Sequence, residues 1–578
     1  MIFNLFHRAG LTHTYDYQRK VAHDLKLKAT VFVNSVIFDS SSDEINELTQ
    51  KCKDDNRQYG DEIALWLEAD KESGGGFLWL LSEESKRRCI KRALEKFESV
   101  FGYLPKTVGN YVMDSSCIKI VKELCPDVKA CVAGCFEEGV KVFHGCNNSW
   151  YLFSEGMSWN PWYPSKGHSV RPAENEDDWA GVVAVPHLCR DLVFGYESRN
   201  DFFASHPANV QRGLANDGLS HEYDYNLCDQ YRMQEDYNDG FSYYQIHVSP
   251  GWLNHNINII DPDEVTQQVY RETLEYIAKL RDSNEVRVMS FSEFADEYKS
   301  NVPIGKQTVA VGKDILIGSG KQYYWVFDTN YRVLVDTFQG GSIGDLRPYA
   351  GKYNAITGPD AENGRYLYNS YPYLIQSQYR SGYKNHFVDG SRTTLFVKHN
   401  NQTLDMCAYN TRIQSVSRTE TSSRLALEPV EMKFEDGFEI KIQTVYEFLP
   451  EGKIKIERRV LGVNNADAEY EISEYVKACY GFIEYPEDMK NIVLKADGTE
   501  QIKYDYDSTS YESDEARSLS AVIPEITTEF ELCGDKPSHA YISEGNLFSP
   551  YYVMRLDYKG NFNNLKEATS WLQLKQTV

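Results

Sequence analysis

The hydrophobic pattern of the chain changes near residue 300. Before that point, short apolar runs alternate with segments whose apolar residues recur at helical spacing, which predicts strands joined by amphipathic helices. Such alternation is typical of a parallel sheet with helical crossovers. The predicted helices are residues 83–99, 114–124 and 262–281. The predicted strands are residues 2–6, 28–33, 61–66, 106–112, 128–135, 180–187 and 241–248. Seven strands favour an incomplete (β/α) barrel, to which residues 286–291 could add a closing strand.

After about residue 305, strict alternation of apolar and polar residues replaces the helical period. Segments such as EIKIQTVYEFLP (439–450) and KIKIERRVLG (453–462) are separated by Gly, Asn and Asp turn signals. This rhythm predicts an antiparallel β-sandwich. The predicted fold class is therefore α/β followed by all-β. Residues 1–300 are expected to form an incomplete seven-stranded (β/α) barrel with the catalytic role, and residues 305–578 an accessory β-sandwich.

Two connections in the first part, residues 139–179 and 189–240, are too long for plain crossovers. We expect ordered loops over the mouth of the barrel. The first carries Trp159 and Trp162 in an aromatic cluster, whose ring faces could stack on sugar rings. The same cluster could equally be a hydrophobic anchor for a long loop, and the sequence leaves both interpretations open.

Charge limits the choice of partner. The formal net charge is −24, so nucleic acids and anionic membranes, both polyanions, are not expected as partners, whereas a neutral substrate is compatible with it. No apolar run approaches the roughly 18 residues that a membrane-spanning helix needs. Because Met1 opens directly on an apolar strand, we expect a cytoplasmic protein, or a secreted one from which a leader has been removed. The 12 cysteines lack metal-ligand spacing and are expected to be scattered thiols.

The first 34 residues and the segment DEIALWLEAD (61–70) carry a family resemblance. An apolar strand, a Gly/Thr loop, a helix and the strand KATVFV resemble the opening of the glycoside hydrolase/deacetylase barrels, best known from polysaccharide deacetylases. In that family, strand one ends in Asp-Asp and the second motif supplies two metal-binding His. Here the corresponding positions are His7-Arg8, Trp66 and Asp70, and the third motif, VGNYVMD (108–114), lacks its Arg. The resemblance implies a carbohydrate-active barrel without the usual metal site. The C-terminal part resembles galactose-mutarotase-like β-sandwiches.

Ionisable and aromatic residues are dense at the predicted strand ends, where the loops of α/β barrels converge on one mouth. A glycosidase needs two carboxyl groups on either side of the scissile bond. By position, and by analogy with amylases built on this barrel, we assign the catalytic roles to Glu138 and Asp191. Either could instead be a helix cap or a loop ligand. The expected substrate-binding residues are His7, Arg8, Trp66, Glu68, Asp70, Glu155, Trp159, Trp162, His187, Arg199, Asp201, His247 and Trp252.

Three functions remain open from the sequence. The leading hypothesis is a glycoside hydrolase that cleaves an oligo- or polysaccharide and needs no metal or other cofactor. The second is a carbohydrate deacetylase with a rebuilt zinc site around His7, His187 and His247, with Asp191 nearby. The third is a sugar-binding barrel without activity, in which Trp66 fills the former metal pocket.

Overall fold

The computed structural model describes most of the chain. The described residues are 1–73, 78, 81–110, 112–134, 156–197, 205, 222–248, 253, 263–351, 371–377, 390–419, 421–480, 486–547 and 549–577. Within them, contacts divide the chain into two compact units, one within Met1–Gly305 and one formed by Lys306–Tyr353 and Tyr371–Val578. The described part contains no helix that combines the length and the apolar character needed to span a membrane.

A parallel β-sheet forms the centre of the N-terminal unit. Its strands are β1 (Ile2–Arg8), β2 (Ala29–Asn34), β3 (Glu62–Trp66), β4 (Thr107–Gly109), β5 (Ala130–Gly134), β6 (Val183–Pro186), β7 (Tyr243–Val248) and β8 (Arg287–Met289). They lie in the order β6-β5-β4-β3-β2-β1-β7, and β8 pairs with the first residues of β1. The incomplete (β/α) barrel predicted from the hydrophobic pattern is confirmed. Residues 286–291 do contain a strand, but it extends the sheet along β1 instead of closing the ring.

Helices connect these strands. They are α1 (His13–Asp24), α2 (Ser42–Tyr59), α3 (Glu83–Phe101), α4 (Ser115–Leu124), α5 (Phe194–Glu197), α6 (Glu222–Arg232), α7 (Asp263–Asp282) and α8 (Phe291–Asn301). Side-chain caps fix several of their first residues. Ser41 and Glu44 form a capping box on α2, and Ser290 and Glu293 form another on α8. Each box satisfies two backbone N–H groups that the first helical turn leaves without partners.

The two edge strands of this sheet approach each other at their carboxyl ends. The side-chain amide of Gln245 on β7 donates hydrogen bonds to the carbonyl oxygens of Pro186 and His187 at the end of β6, both at 2.7 Å. Gln245 is fully buried, so these bonds satisfy a polar group that would otherwise be costly to bury. The side chain of Gln245 therefore joins the two edge strands of the sheet.

The C-terminal unit is built from antiparallel sheets, as its alternating pattern predicts. One sheet contains β9 (Thr308–Lys313), β10 (Gln322–Phe327), β11 (Arg332–Asp336), β12 (Ser342–Arg347) and β13 (Ile375–Gln376). A six-stranded sheet contains β14 (Arg392–His399), β15 (Gln402–Asp405), β21 (Tyr470–Ala478), β24 (Ser510–Ser513), β27 (His539–Asn546) and β28 (Ser549–Gly560). The largest sheet contains β16 (Ile413–Arg418), β17 (Ser423–Leu427), β18 (Val430–Lys433), β19 (Glu439–Leu449), β20 (Lys453–Val463), β22 (Val493–Ala496), β23 (Thr499–Lys503), β25 (Ser518–Ile523), β26 (Thr528–Gly534) and β29 (Glu567–Gln576).

A buried charge cluster lies inside the five-stranded sheet. Arg332 Nε and Nη2 each lie 3.0 Å from an oxygen of Asp345, and Arg347 Nε lies 3.4 Å from Asp345 Oδ2. All three side chains are at most 1% exposed. The guanidinium of Arg332 also lies over the ring of Trp325. One carboxylate thus contacts two guanidinium groups away from solvent, so its removal would take a buried counter-charge from both.

Candidate active site

The carboxyl ends of the parallel strands enclose a layer of rings. Phe6 on β1 stacks on His247 of β7 with ring centroids 4.0 Å apart, and His247 lies 4.2 Å from His187 at the end of β6. Trp66 closes the layer, 5.7 Å from Phe6 and 5.9 Å from His187. All four side chains are buried. Burial, with the nearby charge of Arg8, keeps the pKa of His187 well below its usual value, so this imidazole is neutral.

Gly109, the last residue of β4, leaves the space that Trp66 occupies. A Cβ atom at this position would lie 3.0 Å from Val132, 3.1 Å from Phe32 and 3.2 Å from the indole of Trp66. These are closer than ordinary van der Waals contacts, so a side chain here would displace one of the rings. Trp66, fully buried, therefore fills the interior at the carboxyl end of β3.

An ion pair rests on this indole. The guanidinium carbon of Arg8 lies 4.7 Å from the centroid of the Trp66 ring, and Arg8 Nη2 lies 3.2 Å from Glu68 Oε1. Trp66 Nε1 donates a second hydrogen bond to the same oxygen at 3.1 Å. The side chains of Arg8 and Glu68 are 15% and 29% exposed. Three residues that the sequence assigned to substrate binding thus come together at the barrel mouth, with the ion pair reaching solvent.

His7 faces the other side of the sheet. Its Nε2 lies 2.7 Å from the hydroxyl of Tyr270 on α7. Burial lowers the pKa of His7 to about 3, with smaller contributions from His23 and Arg19. Successive strand residues point to opposite faces, so Arg8 faces the mouth and His7 faces the helices. The predicted histidine trio is therefore divided, since only His187 and His247 share the ring layer.

One group of potential metal ligands occurs among the described residues, and it lies elsewhere. His23, Asp55 and Asp61 bring their ligand atoms within 4.8 Å of one another. Asp55 is already bound by two nitrogens of Arg19, at 2.5 and 2.7 Å, and Asp61 accepts the backbone N–H of Ala29 at 2.9 Å. These three residues therefore belong to a salt-bridge network that links α1, α2 and the start of β3.

Asp191 is committed to local structure. Its Oδ1 accepts the backbone N–H groups of Val193 and Phe194 at 2.8 and 3.0 Å, which makes it the cap of the short helix α5. Its Oδ2 accepts the hydroxyl of Tyr223 at 2.7 Å, and the residue is fully buried. This is the helix-cap alternative that the sequence left open for the strand-end carboxylates. A catalytic role for Asp191 stays a prediction.

The remaining predicted residues divide into two groups. Trp159 and Trp162 are 4% and 3% exposed, and Trp162 Nε1 donates to the carbonyl of Ser169 at 2.9 Å, which is the arrangement of a buried anchor for the loop. Asp70 lies beside the mouth on the loop after β3, where its Oδ1 accepts the N–H of Ser73 at 2.8 Å. The other predictions lie outside the described residues: Glu138, Glu155, Arg199, Asp201 and Trp252.

Arg92, which lies beside Asp70, was not predicted as a site residue from the sequence. Its Nη1 is 3.6 Å from Asp70 Oδ2, and its Nη2 binds Asp39. No local motif marks this arginine as a site residue. The helical spacing of Cys89, Arg92 and Lys96 places all three on one face of α3 and is the signal that could have identified it.

Residues 26–309 match a family described as a Domain of Unknown Function with solved-structure structure (DUF3863). No curated protein matches the chain in sequence.

Solved structures resemble parts of the chain. A proposed glycoside hydrolase/deacetylase from Parabacteroides distasonis is 13% identical, with a TM-score of 0.49 and coverage of 63% of this chain and 88% of that one. A galactose mutarotase-like protein from Clostridium acetobutylicum is 10% identical, with a TM-score of 0.31 and coverage of 46% and 98%. A proposed polysaccharide deacetylase from Mycobacterium smegmatis is 13% identical, with a TM-score of 0.29 and coverage of 52% and 92%. These are the kinds of protein that the two parts of the sequence resemble, and at such identities they assign no activity to this chain.

Proposed function

We propose that the protein is a carbohydrate-active hydrolase that binds a neutral sugar at the mouth of the N-terminal barrel and cleaves a glycosidic bond there. The observation that carries this proposal is the hydrogen bonding and partial exposure of the Glu68 carboxylate. Its Oε1 accepts hydrogen bonds from Arg8 and Trp66, at 3.2 and 3.1 Å. No group among the described residues bonds Oε2, and the side chain is 29% exposed. A partly exposed carboxylate that the protein holds by one oxygen suits the binding and deprotonation of a hydroxyl group.

The surroundings of Glu68 fit a sugar better than a charged ligand. Arg8 already compensates the charge of the carboxylate, so the pair presents N–H donors and an oxygen acceptor with little net charge. Sugar hydroxyl groups both donate and accept hydrogen bonds, and such a pair can satisfy both functions. The position at the carboxyl ends of parallel strands is where the loops of α/β barrels form their active sites.

Hydrolysis requires a second carboxyl group beside Glu68. Glu138 keeps this role as a sequence-based proposal, because it comes four positions along the chain after Gly134, the last residue of β5. Glu68 would then act as general base or nucleophile, and Glu138 as general acid. We propose no metal or other cofactor for this reaction, and we propose carbohydrate as the sole class of partner.

The test is a screen of the purified protein against aryl glycosides and neutral oligosaccharides, with binding measured by calorimetry and cleavage by product analysis. Glu68→Gln keeps the size of the side chain and the bonds to Oε1, and should lower kcat/KM by about 100-fold or more if Glu68 takes part in proton transfer. Glu98→Gln on the exposed face of α3 is the matched control and should leave kcat/KM unchanged. Normal turnover by Glu68→Gln would overturn the proposal.

A sugar-binding protein without activity is the second candidate, favoured by one observation. Both oxygens of Asp191 accept hydrogen bonds from protein groups, which favours a structural role for this carboxylate. In this case calorimetry would show saturable binding that Glu68→Gln weakens, while product analysis would show no cleavage of any bound sugar.

A further inference from the structure

A narrow cleft opens beside Glu68, between the loop after β2, the loop after β3 and helix α3. Its lining residues are Ser35, Val36, Phe38, Glu68, Asp70, Cys89, Arg92, Ala93 and Lys96. It has room for a group about the size of one water molecule. Because Glu68 belongs both to this cleft and to the contact with Arg8 and Trp66, a ligand bound at Glu68 can extend one small group into the cleft.

Asp70 provides the polar wall of this cleft. The residue is 5% exposed, and its Oδ1 accepts the N–H of Ser73 at 2.8 Å. Its Oδ2 is buried and has no hydrogen-bond partner in the part of the chain that the structure describes. Arg92 Nη1 lies 3.6 Å from Oδ2, which is beyond hydrogen-bond distance. Burying a carboxylate oxygen without a hydrogen bond costs free energy, so a donor group of a bound ligand would stabilise this atom.

Asp70 is ionised at neutral pH, which makes it a strong acceptor. Burial acts to raise its pKa, but hydrogen bonds from Ser73 and Cys89 and the charge of Arg92 outweigh this effect and place the pKa below its usual value. Arg92 contributes N–H donors on the same wall. A hydroxyl group in the cleft could therefore donate to Asp70 Oδ2 and accept from Arg92 Nη1.

We infer that this cleft binds the exocyclic hydroxymethyl group of a hexose unit held at Arg8 and Glu68, and that Asp70 thereby selects hexoses over pentoses. This inference rests on the proposed function of the barrel mouth. The cleft has room for the terminal hydroxyl group of one such arm and excludes a second ring. The donor and acceptor on its wall match a hydroxyl group, which gives and takes one hydrogen bond each. A sugar without this arm would leave Asp70 Oδ2 without a donor, which is the way binding sites reject analogues that lack a hydroxyl.

The experiment compares sugars that differ only in the hydroxymethyl group, with D-glucose against D-xylose and D-galactose against L-arabinose as probes. We expect calorimetry on the full chain to show a preference of about 10- to 100-fold for the hexose of the matching pair. Asp70→Asn should abolish that preference while leaving pentose affinity unchanged. Glu68→Gln should weaken both members of the pair to a similar degree. Glu98→Gln is the control for loss of one carboxylate near α3.

Ala93→Phe provides a second, steric test. It fills the cleft from α3 without altering any charge, and it should also remove the hexose preference. Equal affinity for hexose and pentose in the wild type, or a preference that survives both substitutions, would mean that the cleft holds only water and would overturn this inference alone. Absence of binding by every sugar would overturn the proposed function as well, so the two failures are distinguishable. Thermal unfolding confirms that each variant is folded.

Discussion

Trp66 Nε1 and Glu68 Oε1 are joined by a hydrogen bond of 3.1 Å, although only one residue separates them along the chain. The indole is the buried end of this bond and the carboxylate the partly exposed end. The bond therefore links the ring layer inside the barrel to the ion pair at its surface. The orientation of Glu68 depends on the packing of the interior.

Trp66→Phe tests this link. Phenylalanine keeps most of the apolar contact but removes the N–H donor and leaves a small void. We expect the free energy of unfolding of the N-terminal unit to fall by about 2–3 kcal/mol, the sum of a lost hydrogen bond to a charged group and a partial cavity. Urea unfolding, monitored in the N-terminal unit by hydrogen exchange, measures this change in free energy. Trp571→Phe in the C-terminal unit is the control, and an unchanged N-terminal unit in Trp66→Phe would refute the expectation.

Acid should destabilise the protein through His7. The pKa of an unfolded His is about 6.5, whereas that of folded His7 is about 3, so the fold favours the neutral imidazole. This contribution to stability is complete above pH 6.5 and is lost progressively as the pH falls toward 3, by at most about 1.4 kcal/mol per pH unit. His7→Gln should make the acid branch of the stability curve shallower, whereas His13→Gln, at an exposed position, should not. Parallel curves for the wild type and His7→Gln would contradict this.

Asp224 should make stability fall as the pH rises, which is the opposite of the effect of His7. Burial raises the pKa of this carboxyl group to about 8, far above its value of about 3.9 in an unfolded chain. The folded state therefore holds a proton that the unfolded state releases, and stability decreases between about pH 4 and pH 8. Asp224→Asn, which cannot ionise, should be more stable than the wild type at pH 8 and similar to it at pH 4. Thermal unfolding at both pH values measures this difference, with Asp236→Asn as a control at an exposed position. If Asp224→Asn were less stable than the wild type at pH 8, the prediction would be wrong.

The buried cluster of the C-terminal unit should be sensitive to loss of its carboxylate. Asp345→Asn would leave Arg332 and Arg347 without their shared counter-charge, and breaking a buried pair in this way typically costs about 3–5 kcal/mol. We expect chemical unfolding of this unit to shift accordingly. Asp535→Asn removes a charge at an exposed turn and should change the stability of the unit by less than about 0.5 kcal/mol. Equal effects of the two substitutions would show that Asp345 does not hold the arginines together.

Much of the fold follows from hydrophobic periodicity alone. All seven predicted strands of the barrel occur within about three residues of their predicted bounds, because buried parallel strands give short apolar runs that are hard to confuse with amphipathic helices. The run at 106–112 yields only Thr107–Gly109, and its last residue is the glycine that admits the indole of Trp66. Period-two alternation likewise identifies the antiparallel sheets of the C-terminal unit.

The candidate site was harder to predict because it depends on side-chain direction. Strand ends were expected to converge, and Arg8, Trp66 and Glu68 do converge. Alternation along β1 could have shown that His7 points away from Arg8, but the zinc hypothesis rested only on the position of His7 at the strand end. The role of Asp191 as a cap depends on the short helix α5, whose four residues give no periodic signal. Arg92 belongs to the cleft through the packing of α3, and only its helical spacing from Cys89 and Lys96 could have indicated this.

The indole in the barrel interior also makes the protein convertible into a receptor for a foreign molecule. Trimming Trp66 to alanine would open an apolar hole walled by Phe6 and Phe32, with the bare backbone of Gly109 at its edge. Holes of this kind stay dry and accept small aromatic guests. Free indole added to such a variant would supply the missing ring and its N–H together, so that an outside compound would govern how Glu68 is held.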